Sequence, residues 1–211
     1  MATEISQALA EHIRPEWTVR VVKPEQAPKV TRARLAELDE MALVATCLAG
    51  ERDAFDVIVE RHRRTVYLLC YRLAGNHEDA SDLAQDVFIR AYKGLQRFRG
   101  QSSLGTWLYR IGVNVCLNKV GAKRPPTESI DARPHLDERA LDPAAELVRG
   151  ERAAQVRAAI SLLPRKQRAT VILRVYHELS HEEIAGILGS SVGAVKANFF
   201  HALGNLKRLL T

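Results

Sequence analysis

Residues 180–211 read SHEEIAGILGSSVGAVKANFFHALGNLKRLLT. Ser180 followed by Glu183 ahead of an apolar run is typical of a capping box, in which each side chain accepts a hydrogen bond from the other residue's free backbone N–H. A helix is therefore predicted to begin at Ser180 and to end at Gly189, with a second helix beginning around Ser191. This arrangement is typical of a helix-turn-helix, although any pair of helices joined by a glycine turn has a similar pattern.

The second of these helices has two distinct sides. One stripe is apolar and is predicted to face the core: Val192, Val195, Phe199, Ala202, Leu206 and Leu209. The outward side carries Gly193, Ala197 and Phe200, flanked by Lys196, Ala194 and His201. Two interpretations of Phe200 stay open, a contact in a DNA groove and burial beside Phe199. The sequence has no Asp or Glu after Glu183, which suits a face that approaches phosphates.

A zinc-peptidase motif overlaps the start of this region. His177-Glu178-Leu179-Ser180-His181 spells HExxH, in which two histidines on one helical face bind zinc and the glutamate acts as a base. The predicted cap at Ser180 breaks the helix between the histidines, and no later carboxylate is available as a further ligand. We therefore interpret the motif as a chance match and predict no metal, no cofactor and no enzymatic activity.

The rest of the chain is also patterned as helices. Apolar residues recur at three- and four-residue spacing from Met41 onward. A helix is predicted over 79–98, another over about 106–120, and a further helical block from Pro143. Strand-like alternation is absent from the sequence, so an all-α protein of two small helical domains joined by a flexible linker is predicted.

Composition divides the chain into four parts. Residues 1–40 contain three early prolines and are predicted to be a mostly disordered extension, in which Trp17 is a candidate partner contact. Residues 41–120 form the first helical domain, 121–150 the linker and 151–211 the second domain. The last part is basic, with nine Lys or Arg against four Asp or Glu.

Charge and hydropathy exclude several classes of protein. The 211 residues carry a net charge of +6, with 31 Lys and Arg against 25 Asp and Glu. The longest stretch without a charged residue is 184–195, shorter than the roughly 20 apolar residues of a membrane-spanning helix. The N-terminus has no signal-peptide pattern, and the three cysteines have no CxxC spacing. A cytoplasmic protein with reduced, buried thiols is predicted.

Two long segments resemble one known family. GERDAFDVIVERHRRTVYLLCYRLAGNHEDASDLAQDVFIRAYKGLQRFRGQSSLGTWLYRIGVNVCLNKV resembles region 2 of the extracytoplasmic-function (ECF) sigma factors of bacterial RNA polymerase. LPRKQRATVILRVYHELSHEEIAGILGSSVGAVKANFFHALGNLKRLL resembles their region 4. The resemblance covers roughly residues 41–120 and 155–210 and leaves the N-terminal extension outside it.

The resemblance implies three binding sites on the two domains. Core polymerase would bind the helix that carries DLAQDVF, through Asp82, Gln85 and Asp86, with Phe88 packing beneath. The −10 promoter element would contact the loop and helix that follow, through Gln101, Ser102, Ser103, Trp107, Arg110, Asn114, Asn118 and Lys119. The −35 element would contact the second helix of the helix-turn-helix, through Ser191, Gly193, Ala194, Lys196, Ala197, Asn198, Phe200 and His201.

The resemblance also implies partners. Core RNA polymerase and promoter DNA are expected, together with an anti-sigma factor that covers the polymerase-binding faces. The predicted function is a promoter-specificity subunit without membrane insertion. A stand-alone helix-turn-helix regulator that binds duplex DNA without polymerase, usually as a dimer, is the alternative.

Overall fold

The computed structural model describes residues 31–122 and 143–211. All regular structure in these two ranges is helical, which confirms the predicted all-α class. The described ranges also contain a 3-10 turn at Leu95–Arg97 and a π-helical turn at Ile172–Tyr176. The helices are α1 Arg32–Ala36, α2 Glu40–Leu48, α3 Asp53–Ala74, α4 His77–Gly94, α5 Leu104–Ala122, α6 Pro143–Leu162, α7 Arg165–Val171, α8 His181–Leu188 and α9 Val192–Leu210.

The core of the first half lies between α3, α4 and α5, whose apolar stripes face one another. Helix α5 approaches α3 closely at Gly112, where a Cβ atom would lie 3.0 Å from Leu69 Cδ2. Burying a large apolar side chain stabilises a fold by about 1.5–3 kcal/mol, so this three-helix contact is the main source of stability in the first half. In α4 and the turn that follows it, the apolar stripe of the helix predicted over 79–98 is buried, because every member is at most 2% exposed: Leu83, Val87, Ala91 and Leu95.

The junction between α3 and α4 is determined locally. Gly75 ends α3 with a φ of +88°, a left-handed conformation that favours glycine. Asn76 then caps α4, since its side-chain oxygen accepts a hydrogen bond from the Asp79 N–H at 2.8 Å. These two adjacent residues fix where the acidic surface of α4 begins.

Residues 32–40 contain helical structure that the sequence does not predict. The mostly disordered extension was expected to reach residue 40, and this is wrong for residues 32–40, because α1 and the start of α2 are helical. Leu35 is fully buried, and α1 packs on α3. Arg32 donates a hydrogen bond to Glu60 at 2.9 Å, which lowers the pKa of that carboxyl. The expectations for residues 1–30, including Trp17, and for 123–142 of the predicted linker lie outside the described residues. The predicted linker bounds of 121–150 are wrong at both ends, because 121–122 belong to α5 and 143–150 to α6.

The second half contains the predicted helix-turn-helix. Ser180 Oγ accepts from the Glu183 N–H at 3.1 Å, and Glu183 Oε2 accepts from the Ser180 N–H at 2.8 Å, so the capping box is confirmed. Gly189 ends α8 with a φ of +57°, and Ser191 caps α9 by accepting from the Ala194 N–H at 3.2 Å. These local signals alone determine the positions of both helices.

The apolar stripe of α9 is buried only along part of its length. Val195 and Ala202 are fully buried, and Val192, Phe199 and Leu206 are half-buried. The prediction that Leu209 faces the core is wrong, because its side chain is 47% exposed. Leu210 in the same last turn is also 47% exposed, so this end of α9 is only partly covered by the described residues.

Contacts join the two halves within the compact unit that begins at Arg32. Arg168 of α7 donates a hydrogen bond to the Leu73 carbonyl at the end of α3, at 3.3 Å. The Arg72 guanidinium lies 4.2 Å from the centroid of the Tyr176 ring, within the range of a cation–π interaction. Helix α5 packs on α8, so the helix-turn-helix lies against the first half.

The cysteines of α3 and α5 meet in the core. Cys70 and Cys116 are both fully buried, and Cys47 is half-buried. The hydrogen bond with Cys70, together with burial, raises the pKa of the Cys116 thiol far above its usual range. The expectation of buried thiols is wrong for Cys47, and the raised pKa favours the thiol form of Cys116 over the nucleophilic thiolate. None of the helices in the described ranges is long and apolar enough to cross a membrane.

Candidate functional site

The carboxylates of α4 form an exposed acidic face. Asp82, Gln85 and Asp86 are all exposed, as expected for side chains outside the buried stripe. They lie beyond the first turn of α4, in which Glu78 and Asp79 are the acidic residues that interact favourably with the helix N-terminus. Polar contacts to a partner are therefore available on this side of α4 without any change in the fold.

Lys119 of α5 contacts this acidic face. Its Nζ atom lies 3.6 Å from Asp79 Oδ1 and 3.6 Å from Asp82 Oδ2. The sequence assigned Lys119 to DNA and Asp82 to polymerase, whereas the structure brings the two side chains together. An ion pair between residues 37 positions apart has no signal in the local sequence pattern.

Phe88 lines an apolar groove between α3 and α4. The groove has a volume of about 860 Å³, and Phe88 is half-buried at its base. Phe55 and Tyr92 form one wall, with ring centroids 4.9 Å apart in an edge-on arrangement. Gln85 lines the same groove, and the expectation that Phe88 packs beneath the acidic residues stays a prediction.

The loop before α5 ends in a helix cap at Ser103 that was not among the sequence predictions. Gln101, Ser102 and Ser103 are exposed, after Gly100 with a φ of +66°. Ser103 Oγ accepts a hydrogen bond from the Thr106 N–H at 3.0 Å, so this hydroxyl is committed to the start of α5. The signal was available, since serine three residues ahead of a backbone donor is the usual N-cap pattern.

The outward side of α5 carries the predicted polar stripe. Arg110, Asn114 and Asn118 are exposed and recur every four residues, so they lie on one side of the helix. Trp107 is half-buried, with its ring centroid 5.3 Å from that of Phe98. Trp107 therefore anchors the start of the helix and leaves part of its ring accessible.

The N-terminal half of α9 is an exposed surface with little negative charge. Asn198 is half-buried, and Phe200 is 75% exposed, which decides between the two interpretations of Phe200 in favour of the outward one. Phe199 turns towards α8, where its ring lies 5.9 Å from that of His181. All six other predicted contact residues are also exposed: Ser191, Gly193, Ala194, Lys196, Ala197 and His201.

One aromatic contact between the halves was not expected. Tyr109, next to Arg110 on α5, packs against His177 with ring centroids 4.6 Å apart. Burial, and to a lesser extent the charge of Arg72, lowers the pKa of His177 to about 4. His177 is therefore neutral at physiological pH, and it packs as an aromatic ring.

The HExxH histidines do not share a helical face. His177 follows the π-helical turn, Glu178 has a φ of +56°, and His181 begins a new helix. Within 31–122 and 143–211, no three His, Cys, Asp or Glu side chains lie close enough together to hold a metal ion. The break in the helix on which the sequence interpretation depends is therefore confirmed.

Two family models match the chain. Sigma-70 region 2 matches residues 58–124, and Sigma-70 region 4 matches residues 153–206. Together they cover more than half of the chain. The first match contains the acidic face and the polar stripe of α5, and the second contains the helix-turn-helix.

Curated relatives and solved structures agree with these matches. The RNA polymerase sigma-H factor of Pseudomonas aeruginosa is 34% identical over 177 residues, covering 80% of this chain and 92% of that protein. The ECF RNA polymerase sigma factor SigW of Bacillus subtilis is 33% identical over 170 residues, covering 76% and 91%. CnrH, solved in complex with the cytosolic domain of CnrY, has a TM-score of 0.60 at 26% identity, covering 80% and 95%. The sigma factor RpoE of Bartonella quintana, solved with the anti-sigma factor NepR, shares the fold at a TM-score of 0.59 and 23% identity, covering 74% and 96%. The chain belongs to the sigma-70 family of RNA polymerase sigma factors, in its extracytoplasmic-function group.

Proposed function

We propose that this sigma factor binds polymerase and promoter DNA through three exposed surfaces. These surfaces lie on two helical domains, residues 41–120 and 151–211. The acidic face of α4 binds core polymerase, the loop at 101–103 and the polar side of α5 bind the −10 element, and α9 reads the −35 element. The observation that carries this assignment is that all three surfaces are exposed on a chain that matches both sigma regions in order.

The docking assignment rests on charge and exposure. Asp82 and Asp86 lie on the same side of α4 with Gln85, and an exposed carboxylate can pair with a basic partner surface at little desolvation cost. Phe88 and the apolar groove lie directly beside them. A polar rim around an apolar patch is the usual composition of a protein interface.

The −10 assignment rests on the loop that precedes α5 and on the polar stripe of α5 itself. Gln101 and Ser102 are exposed at the loop, while the Ser103 hydroxyl is already used as a helix cap. We assign base capture to Gln101 and Ser102 and a supporting role to Ser103. Arg110, Asn114 and Asn118 then offer donors to the sugar–phosphate backbone or to base edges, with Trp107 at the start of the helix. Lys119 becomes a further donor to DNA when its ion pairs with Asp79 and Asp82 break.

The −35 assignment rests on the surface of α9. Small side chains at Gly193, Ala194 and Ala197 let the helix approach a groove closely, and Lys196 is available for phosphate or guanine. Phe200 and His201 lie one turn further along, at the edge of this surface. The backbone N–H groups at the N-terminus of α9 add a further favourable site for phosphate.

The two DNA-reading surfaces must separate on a promoter. As their names state, the −10 and −35 elements lie about 25 base pairs apart, or about 85 Å at about 3.4 Å per base pair. In this structure α5 contacts α8, and the Tyr109 and His177 rings are 4.6 Å apart. We therefore assign this arrangement to the free protein and expect it to bind promoters poorly without polymerase.

The partners follow from the family. Core polymerase and promoter DNA are the working partners, and an anti-sigma protein that covers the polymerase-binding faces is the expected inhibitor. The neighbour CnrH, which is held by the cytosolic domain of a second protein, supports this expectation. The protein acts in the cytoplasm, where its polymerase and template lie, and acts as a binding subunit without catalytic chemistry of its own.

Reconstitution tests the proposal. The full chain is mixed with bacterial core polymerase and a promoter library, and run-off transcripts are sequenced. Transcription that needs both proteins and selects a −35 and a −10 motif is the expected result. High-affinity binding of the free chain to a palindromic duplex, with no effect on polymerase, would instead identify a stand-alone regulator.

A further inference from the structure

The base-capture loop has a support that lies partly outside the stretch that matches sigma region 2. Glu40 and Met41 open α2, where the Asp39 carboxylate caps the helix by accepting from the Ala42 N–H at 2.8 Å. Both residues precede residue 58, at which the family match begins. Met41 contacts the start of the loop directly, and Glu40 reaches its end through His62.

The first contact is direct. Gly100 precedes the loop with a φ of +66°, and a Cβ atom at this position would lie 3.1 Å from Met41 Cε and 3.4 Å from Met41 Sδ. The Met41 side chain therefore lies against the backbone at the start of the loop. A larger residue at position 100 would be strained by the left-handed backbone and would have to displace the end of the Met41 side chain.

The second contact passes through a histidine of α3. His62 Nε2 lies 2.9 Å from Glu40 Oε1, which is within the distance of an ion pair. The N–H group is too poorly aligned with the oxygen to count as a hydrogen bond. On its other side the ring faces Gly105, where a Cβ atom would lie 3.7 Å from His62 Cε1. The imidazole is largely buried, with 14% of its side chain exposed. His62 therefore fills the space between Glu40 and the first turn of α5.

These contacts fix both ends of a loop whose middle is exposed. Gln101 and Ser102 lie between the two supported glycines, and the Ser103 cap adds a third restraint at the start of α5. A loop held in one shape before binding loses less conformational freedom when it captures a base. Flipping a base out of the stack costs free energy. A smaller loss of conformational freedom in the loop therefore makes capture more favourable.

We propose that Glu40, Met41 and His62, together called the loop support, are positioning residues for capture of the −10 base. The loop support touches no DNA and acts through the shape of residues 100–105. The proposal rests on the base-capture role assigned to this loop above. It gives α2 a part in promoter melting that the region 2 match does not contain.

The test measures capture of a single base. Holoenzyme made with the full chain is titrated with single-stranded −10 oligonucleotides, intact or abasic at one position in turn. The affinity ratio of intact to abasic strand identifies the captured base in the parent protein. We expect Met41→Ala and His62→Ala to reduce that ratio about fivefold, with Glu40→Gln reducing it less, and to leave core affinity and the ratios at other positions unchanged.

Two further variants serve as controls. Glu60→Gln breaks the exposed Arg32–Glu60 ion pair between α1 and α3, which has the same 2.9 Å spacing but does not contact the loop, and should leave every ratio unchanged. His62→Gln keeps a side chain that can donate to Glu40 and should retain most of the parent ratio. If His62→Ala does not fold, Met41→Ala still decides the outcome, because Met41 is 53% exposed and its truncation should leave the fold intact.

The outcomes separate the two proposals. If Gln101→Ala and Ser102→Ala abolish the ratio while the loop-support variants do not change it, the loop-support inference is wrong and base capture by the loop stands. If the loop substitutions themselves have no effect, the base-capture assignment fails and the inference fails with it. An equal loss in Glu60→Gln would mean that general destabilisation, rather than positioning, explains the effect.

Discussion

Asp82 and Asp86 are the residues on which polymerase docking depends most directly. Reversing both to Lys should weaken binding to core polymerase at least about tenfold, because two attractive contacts become repulsive at the interface. The fold should survive, since both side chains are exposed. Competition with another sigma factor for core polymerase measures the effect, and circular dichroism checks the fold.

A matched variant separates docking from net charge. Glu37→Lys with Glu182→Lys changes the charge by the same amount at two exposed positions away from the acidic face. This variant should compete as well as the parent protein. If it loses as much affinity as the Asp82 and Asp86 reversal, or if that reversal binds normally, the acidic face is not the docking site.

Lys196 and Asn198 are expected to affect DNA binding in different ways. Lys196→Ala should weaken binding to every promoter and reduce the dependence of affinity on salt by about one ion, as expected for a phosphate contact. Asn198→Ala should cost about 1–3 kcal/mol on the preferred −35 sequence and relax the choice at one base pair. Holoenzyme binding to a randomised −35 library at two salt concentrations measures both effects.

Lys207 provides the control for this pair. It is exposed on the last turn of α9, far from the helix N-terminus that approaches the groove. Lys207→Ala should leave both sequence choice and salt dependence close to those of the parent protein. An unchanged sequence preference in Asn198→Ala would show that this side chain does not read bases.

At the scale of single elements, the helix-turn-helix depends on its caps. Ser180→Ala removes one half of the capping box and should lower the free energy of unfolding by about 1 kcal/mol, as is typical of an N-cap. Ser180→Thr should retain most of the stability, because its hydroxyl can accept the same bond. Chemical denaturation followed by circular dichroism measures the difference.

Ser190, in the turn between the two helices, provides a control for the Ser180 cap. Ser190 lies between Gly189 and the Ser191 cap, and its side chain makes no contact in the capping box. Ser190→Ala should therefore change stability by less than about 0.5 kcal/mol. Equal losses at Ser180 and Ser190 would mean that the turn, and not the cap, stabilises this unit.

At the scale of the whole molecule, the contact between the halves makes stability dependent on pH. His177 has a pKa of about 4 in the folded chain, below its ordinary value of about 6.5 in an unfolded chain. The unfolded state therefore binds the extra proton first, so stability is complete above about pH 6.5 and falls as the pH drops towards 4. The loss is at most about 3 kcal/mol and is reduced because the ring is partly exposed.

Urea unfolding at several pH values between 7.5 and 4.5 measures this effect. Variant His177→Gln has no titrating ring at the contact with Tyr109 and should show a shallower loss of stability over the same range. Acidic residues titrate in both proteins and so cancel in the comparison. Identical pH profiles for the two proteins would show that His177 does not couple the contact between the halves to pH.

The elements of this fold follow closely from the sequence, because their signals act over a few residues. The capping box at Ser180 and the glycine at 189 determine α8 within one turn of chain. The four-residue spacing of the polar residues on α5 places them on one exposed side, and the stripe that ends at Leu95 is buried as its period predicts. Helical class and the exposure of most candidate contacts were therefore available from the sequence.

The tertiary structure alone decided which distant residues meet. Lys119 pairs with Asp82 across two helices, Tyr109 packs on His177, and His62 lies between Glu40 and Gly105. Leu209 has the period of a core residue but is 47% exposed. Period and spacing describe one helix at a time, whereas these contacts depend on how helices pack against one another, and that is set by the summed burial of side chains far apart in the chain.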